Sequence, residues 1–346
     1  MTLADELRAL PKAELHQHLD GALRPETAVE LAASVGMPLT LDEARRRMVG
    51  PKRCRNQAEL LAYFDLPLAL LQTAESLERA AAELVEDMAR DGVRYAEVRW
   101  APRLHLERGL SVTAVISAVA SGIARASTRP ARQLPVVGLI VTAIRSHPPA
   151  ANVELAHTAV EFGWPVIGFD LAGPEADWPA PPHAAAFNAA RGGGLGLTAH
   201  AGEVPGLGRI REVLAFGLTR IAHGVTAAGD PAIMALLRQR GVTLDMCPTS
   251  NVQAGIVRSL GRHPLAALHR AGVSVTISTD DRTVSATTLS AELARTAEAL
   301  HLSDDELATI ALNSFKRTFA PAAVIRPLSA AATRSWKAWQ AARLTG

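Results

Sequence analysis

The chain has 346 residues, of which 48% are apolar and 20% charged, with a net charge of +2. That balance belongs to a globular protein with ample material for a core, and it gives no electrostatic case for a nucleic-acid partner. Two cysteines, Cys54 and Cys247, are too few for a disulfide framework or a cysteine-rich zinc site.

The expected setting is cytoplasmic. The opening residues Met1 to Glu6 are acidic and lack a basic region followed by an apolar one. Apolar runs such as Pro135 to Ile144 stop short of a bilayer span, so no membrane partner is expected.

In chain order, short apolar or β-branched runs predict strands near 13–18, 93–99, 134–143, 165–171, 195–200, 219–223, 242–247 and 273–279. Helical patterns fall between them, near 77–91, 110–126, 151–162, 181–191, 207–216, 230–240 and 263–271, with a further pair at 287–300 and 304–313. Eight strand–helix units predict an α/β fold of the (β/α)8 TIM-barrel kind, as one domain over 1–346. The glycine run 192–196 precedes a strand instead of opening a helix, so it is a flexible connection and no dinucleotide fingerprint.

The stretch 19–92 is far longer than one crossover needs and carries helical patterns near 26–35, 57–72 and 77–91. Long insertions after a barrel strand sit over its mouth. Asn56 to Thr73, with Leu60, Leu61, Tyr63, Phe64 and Leu66, is therefore expected to be either an apolar lid over a flat substrate or a helix packed on the barrel. The alanine-rich tail after Pro321, with Trp336 and Trp339, reads as a docking helix.

His16 and His18 close the first strand two residues apart, hence on one face. His200, His223 and the pair Asp280–Asp281 close strands five, six and eight, and the C-terminal strand ends of a barrel converge on one mouth. Three imidazoles and a carboxylate suit zinc with a position left for water, whose pKa falls from about 16 toward about 7. Glu203, beyond the turn at Gly202, can return over the metal as a general acid, and His223 can position or deprotonate the water. The set describes metal-assisted hydrolysis.

The other readings of these residues are structural. Asp280–Asp281 could cap a helix, and each histidine could be an ordinary hydrogen-bonded group. His105, His147, His157, His183, His263, His269 and His301 are expected in helices or loops as solvent-facing or local capping groups. Cys247 is expected to be a small buried residue, and Glu97 with Arg99, on one strand face, a structural ion pair inside the barrel.

Seven segments in order carry a resemblance: Pro11 to Gly21, Tyr95 to Arg99, Gly168 to Gly173, His200 to Glu203, His223–Gly224, Cys247 to Asn251 and Thr279 to Asp281. Over about residues 9 to 320 the chain resembles the adenosine deaminase family of the amidohydrolase superfamily. The resemblance implies the same barrel, one zinc ion on His16, His18, His200 and Asp280, and hydrolytic deamination of adenosine or a close 6-aminopurine nucleoside.

It further implies that Glu203 protonates the purine N1 while His223 orients the attacking hydroxide. Asp281 would recognise N7, the Gly173 N–H would meet N3, and Asp20 would bind the ribose 5′-hydroxyl. Relatives acting on adenine tend to carry Glu at the position of Asp20. Other outcomes on the same site are deamination of a modified adenosine or adenine, a different hydrolysis, or a non-catalytic nucleoside-binding relative. The sequence departs from the family pattern at Pro174, Ser278 and Arg282; Pro174 and Arg282 lie near the expected purine-binding residues and so bear on strict adenosine specificity. The sequence leaves the oligomeric state open.

Overall fold

In the computed structural model, residues 2–126, 133–206 and 208–345 are described. Residue 207, the first of the helix expected over 207–216, lies outside them. Eight parallel strand positions close into a barrel. β1 (Lys12–His18), β2 (Val93–Trp100), β3 (Val136–Ile144), β4 (Val166–Ala172) and β5 (Gly196–Leu197) form one ladder. β6 (His200–Ala201), β7 (Arg220–His223), β8 (Thr243–Met246) and β9 (Ser274–Ile277) form a second. The strands are buried on both faces because helices cover the outside and side chains fill the inside, as parallel sheets require.

Two seams join the ladders. The strand expected over 195–200 is split: β5 pairs with β4 and β6 pairs with β7, and between them the Thr198 N–H donates to the Phe169 carbonyl at 3.0 Å. At the other seam β9 ends at Ile277, but the chain runs on to pair with β1. The Asp280 N–H donates to the His16 carbonyl at 3.0 Å, and the His18 N–H donates to the Asp280 carbonyl at 2.7 Å. Asp280 is thus clamped by β1 on both sides of its peptide unit.

The insertion after β1 folds as helices Pro25–Ser34, Leu41–Met48, Gln57–Leu61, Asp65–Leu70 and Ala74–Arg90. Thr73 caps the last of these by accepting the Ser76 N–H. The segment Asn56 to Thr73 divides its side chains between the cavity and the body of the protein. Leu60, Leu61 and Phe64 face the cavity at the barrel mouth, whereas Leu66 packs into the main core and Tyr63 against Cys54, Ala254 and Val284. The C-terminal helix Ala322–Thr345 docks as expected: Trp336 is buried and its indole N–H donates to the Pro11 carbonyl at 3.0 Å. Among the described residues no helix is long and apolar enough to cross a membrane.

The inside of the barrel carries charge. Glu97 and Arg99 are both fully buried there but do not pair with each other: Glu97 meets Arg220, and Arg99 meets Asp170 at 3.4 Å and Asp245 at 3.9 Å. Each acid finds its cation across the barrel, because neighbours two apart on one strand lie about 7 Å apart while inward side chains of facing strands meet.

Candidate active site

The strand ends bring the predicted ligands together. One nitrogen from each of His16, His18 and His200 and an oxygen of Asp280 lie within 4.8 Å of one another. The His16 and His18 Nε2 atoms are 3.2 Å apart, His18 and His200 Nε2 are also 3.2 Å apart, and His16 Nε2 is 2.9 Å from Asp280 Oδ1.

Burial lowers the pKa of His16 and of His200, so both are neutral lone-pair donors. Burial works against the Asp280 carboxylate too, but the imidazoles of His16 and His223 outweigh it and hold Asp280 well below the usual carboxylate range. His200 Nδ1 faces the Asp170 carboxylate at 3.1 Å, which fixes the tautomer and leaves Nε2 for the cluster. Three converging imidazole nitrogens beside an ionised carboxylate fit a divalent metal of the zinc class. A second convergent set, His223, Cys247 and Asp280, shares the carboxylate, but burial raises the Cys247 thiol well above its ordinary value.

His223 and Asp280 both hold left-handed backbone angles, φ 65° and 63°. A non-glycine residue there costs on the order of 1–3 kcal/mol and persists only where its surroundings impose it. For Asp280 the two hydrogen bonds to β1 impose it. His223 is held from behind: Asn251 Nδ2 lies 3.0 Å from His223 Nδ1, and His263 Nε2 lies 3.1 Å from Asn251 Oδ1. The His223 Nε2 face then points to Glu203 Oε1 at 3.6 Å and Asp280 Oδ2 at 3.8 Å.

Glu203 hangs over this cluster. Glu175 accepts the N–H groups of Gly202, Glu203 and Val204 at 2.7, 2.8 and 3.2 Å and pins the turn, which passes through Gly202 at φ 80°. Gln57, from the insertion, donates to Glu203 Oε2 at 2.9 Å. Burial pushes the Glu203 carboxyl up to about 8, so it carries its proton at neutral pH. Burial and the nearby Asp280, Asp20 and Glu203 charges push the Asp281 carboxyl well above its ordinary value too. A protonated Asp281 is a hydrogen-bond donor. Neither aspartate caps the next helix, which begins at Leu289 behind Thr288.

A cavity of about 250 Å3 opens from this cluster. His18, Asp20, Gly173, His200, Glu203, His223, Asp280 and Asp281 line its polar side, and Leu60, Leu61, Phe64, Leu68, Leu104 and Ile144 its apolar side. All the predicted site residues therefore share one pocket, except His16, which is buried beneath it. Gly173 sits at φ 106°, a conformation that suits glycine.

Of the family departures, Pro174 lines the cavity but Arg282 does not: it turns away to Asp91 at 3.1 Å and Glu14 at 3.5 Å. Ser278 also lies behind the wall, where its hydroxyl accepts the Leu15 N–H at 3.4 Å. His105, His183 and His263, expected as solvent-facing or local capping groups, are buried. His183 and His263 find partners at both ring nitrogens, His263 capping locally by accepting the Leu265 N–H at 3.3 Å, whereas among the described residues His105 is hydrogen-bonded at Nδ1 alone. Asp170, Glu175, Asn251 and Gln57 carry the site without having been assigned a role from the sequence; the available signals were the charge of Asp170 inside the apolar run Val166–Ala172 and the places of Asp170 and Asn251 within the segments that carry the resemblance.

A parallel eight-position barrel with a histidine–aspartate cluster at the C-terminal strand ends defines a hydrolase of the amidohydrolase class. The adenosine deaminase family model matches residues 11–331. An adenosine deaminase of Mycobacterium sp. (strain JLS) is 39% identical over 337 residues, 92% of each chain. Among solved structures, the adenine deaminase of Arthrobacter aurescens superposes with a TM-score of 0.87 at 28% identity, covering 95% of this chain and 100% of its own. The Arabidopsis N6-mAMP deaminase superposes with a TM-score of 0.85 at 28% identity, covering 95% of this chain and 99% of its own. The chain belongs to the adenosine deaminase family, and it is an aminohydrolase.

Proposed function

We propose that the enzyme deaminates adenosine, or a close 6-aminopurine nucleoside, with one zinc ion on His16, His18, His200 and Asp280, the whole chain acting as one catalytic unit. The carrying observation is the charge of the cavity wall. Four carboxyl groups line it (Asp20, Glu203, Asp280 and Asp281), and among the described lining residues there is no lysine or arginine. A 5′-phosphate would meet Asp20 with no compensating cation, whereas a neutral ribose hydroxyl can donate to that carboxylate. This favours a nucleoside over a nucleotide such as the substrate named for the Arabidopsis relative.

When bound, the ion supplies the acidified water that such hydrolysis needs at neutral pH. The remaining steps belong to the chain. Glu203 gives its proton to the purine N1 as the nucleophile adds to C6; Gln57 occupies Oε2, which leaves Oε1 for that transfer. His223, held through Nδ1 by Asn251, orients the nucleophile with Nε2. Protonated Asp281 donates to N7, and the Gly173 N–H donates to N3. The C6–N bond then breaks as the proton of the added hydroxyl passes to the leaving amino group, giving the 6-oxo nucleoside and ammonia, and the proton the water gave up on becoming hydroxide restores Glu203. The apolar wall of Leu61, Phe64 and Leu68 covers the ring and excludes bulk water.

The test is a deamination panel on zinc-loaded enzyme, followed by ultraviolet absorbance. Adenosine and deoxyadenosine should be consumed, and adenosine 5′-monophosphate and adenine should be poorer by about 100-fold or more in kcat/KM, about 2.7 kcal/mol at tenfold per 1.36 kcal/mol. A preference for the monophosphate or the free base would overturn the reading.

A further inference from the structure

We infer that His105 is a positioning residue for nucleoside recognition: it holds Asp20 by donating from Nε2 to Oδ1, so that the other carboxylate oxygen faces the sugar. The inference rests on the reading of Asp20 given above.

His105 ends the short turn Pro102–His105 after β2, and it is fully buried. Its Nδ1 lies 2.7 Å from the Leu71 carbonyl. A carbonyl only accepts, so Nδ1 carries a hydrogen. Its Nε2 lies 3.3 Å from Asp20 Oδ1, and neither of these buried atoms has a directed hydrogen bond to any other described group. A bare nitrogen lone pair against a buried carboxylate oxygen would leave two unsatisfied acceptors facing each other. A ring that donates from both nitrogens satisfies the carbonyl and the carboxylate together. At 3.3 Å the two atoms stand at the long edge of an N–H···O contact.

The ring is braced. Gln72 donates to the carbonyls of Leu68 and Leu104, both at 2.8 Å, and accepts the Glu107 N–H at 3.0 Å. The turn bearing His105 is thereby tied to the end of the helix Asp65–Leu70, whose Leu68 lines the cavity. His105 itself does not line the cavity, so it touches substrate only through Asp20. The titratable neighbour coupled to Asp20 is Asp281, a carboxyl that offers no competing cation.

Two near-isosteric variants separate the two ring nitrogens. His105→Asn keeps a donor for Leu71 and loses the one toward Asp20; His105→Gln keeps the donor toward Asp20. Both are assayed with adenosine and 5′-deoxyadenosine, which lacks the hydroxyl. The expected result is a rise of about tenfold in KM for adenosine in His105→Asn with kcat little changed, no change for 5′-deoxyadenosine, and KM restored to within about threefold in His105→Gln.

Equal losses on both substrates, or a glutamine variant as impaired as the asparagine one, would overturn the inference. Should His105→Asn fail to fold, the glutamine variant decides on the same two substrates. Wild-type enzyme that does not prefer adenosine over 5′-deoxyadenosine overturns the Asp20 reading itself. A wild-type preference that survives His105→Asn overturns only the role of His105.

Discussion

Gly21→Ala should cripple substrate recognition without touching the metal cluster. Gly21 follows Asp20 in the turn that leaves β1, and a Cβ built on it would lie 2.0 Å from Asp281 Oδ1 and 2.6 Å from Asp281 Cγ. The cost is spatial, since the backbone angles of Gly21 lie outside the left-handed region. Nor can the turn retreat: the Gly21 carbonyl accepts the Thr283 N–H at 2.9 Å, which ties it to the loop that carries Asp281. Asp281 Cβ would also lie 2.7 Å away, so Asp281 as a whole must be displaced, its Oδ1 by about 1.4 Å to restore an ordinary contact, and a misplacement of about 1 Å can cost about 100-fold. We expect kcat/KM for adenosine to fall by about that factor, about 2.7 kcal/mol of transition-state binding. Zinc content should be unchanged, because Asp280 is clamped by β1. On an Asp281→Gly background, which also removes the Cβ that a Gly21 side chain would meet at 2.7 Å, the glycine substitution should cost little more, the sign of a shared mechanism. A Gly21→Ala enzyme within twofold of wild type, or one that loses the same factor on both backgrounds, would refute the reasoning.

Glu203→Gln should keep zinc and lose about 10^2 to 10^4 in kcat, because the amide fills the space without a transferable proton; near-wild-type turnover would remove Glu203 as the acid. The Glu203 carboxyl, raised to about 8, acts while protonated, so kcat/KM should fall as pH rises through that region, and a bound cation can only draw the limb lower. The same raised value means that the folded state resists ionising this group, a cost that grows as pH rises from the ordinary carboxylate range to about 8. Glu203→Gln should therefore raise Tm, and by more at alkaline pH; scanning calorimetry at two pH values checks it. Asp170→Asn should weaken zinc binding by about 10- to 100-fold, read by competition with a chelator, since it disturbs the tautomer of His200 without removing a ligand.

What was legible in the sequence is what a single strand can carry. The alternation in His16-Gln17-His18 puts two imidazoles on one face, and the barrel rule brings His200, His223 and Asp280 to the same mouth. What was not legible depends on contacts across the barrel. Asp170 supports His200 from the neighbouring strand position, and Glu175 reaches the turn at Gly202 from another loop. The burial of His105 and His263 was not legible, although His263 does cap locally through the Leu265 N–H, because loop position does not reveal burial. Proximity in sequence also misled at Arg282, two residues beyond Asp280, because the left-handed turn at Asp280 sends the following side chains in different directions. Asp281 faces the cavity, and Arg282 runs back to Asp91 and Glu14. The split of the fifth strand position, where β5 and β6 pair with different neighbours, leaves no mark in an apolar run that reads as one strand.

The most direct test is to strip the protein of metal and titrate zinc back while measuring ammonia released from adenosine. The expected result is no release from the stripped protein and a linear rise that ends at one zinc per chain, on His16, His18, His200 and Asp280. Full release without metal, a requirement for a second equivalent, or zinc bound at one per chain with adenosine left intact would contradict it.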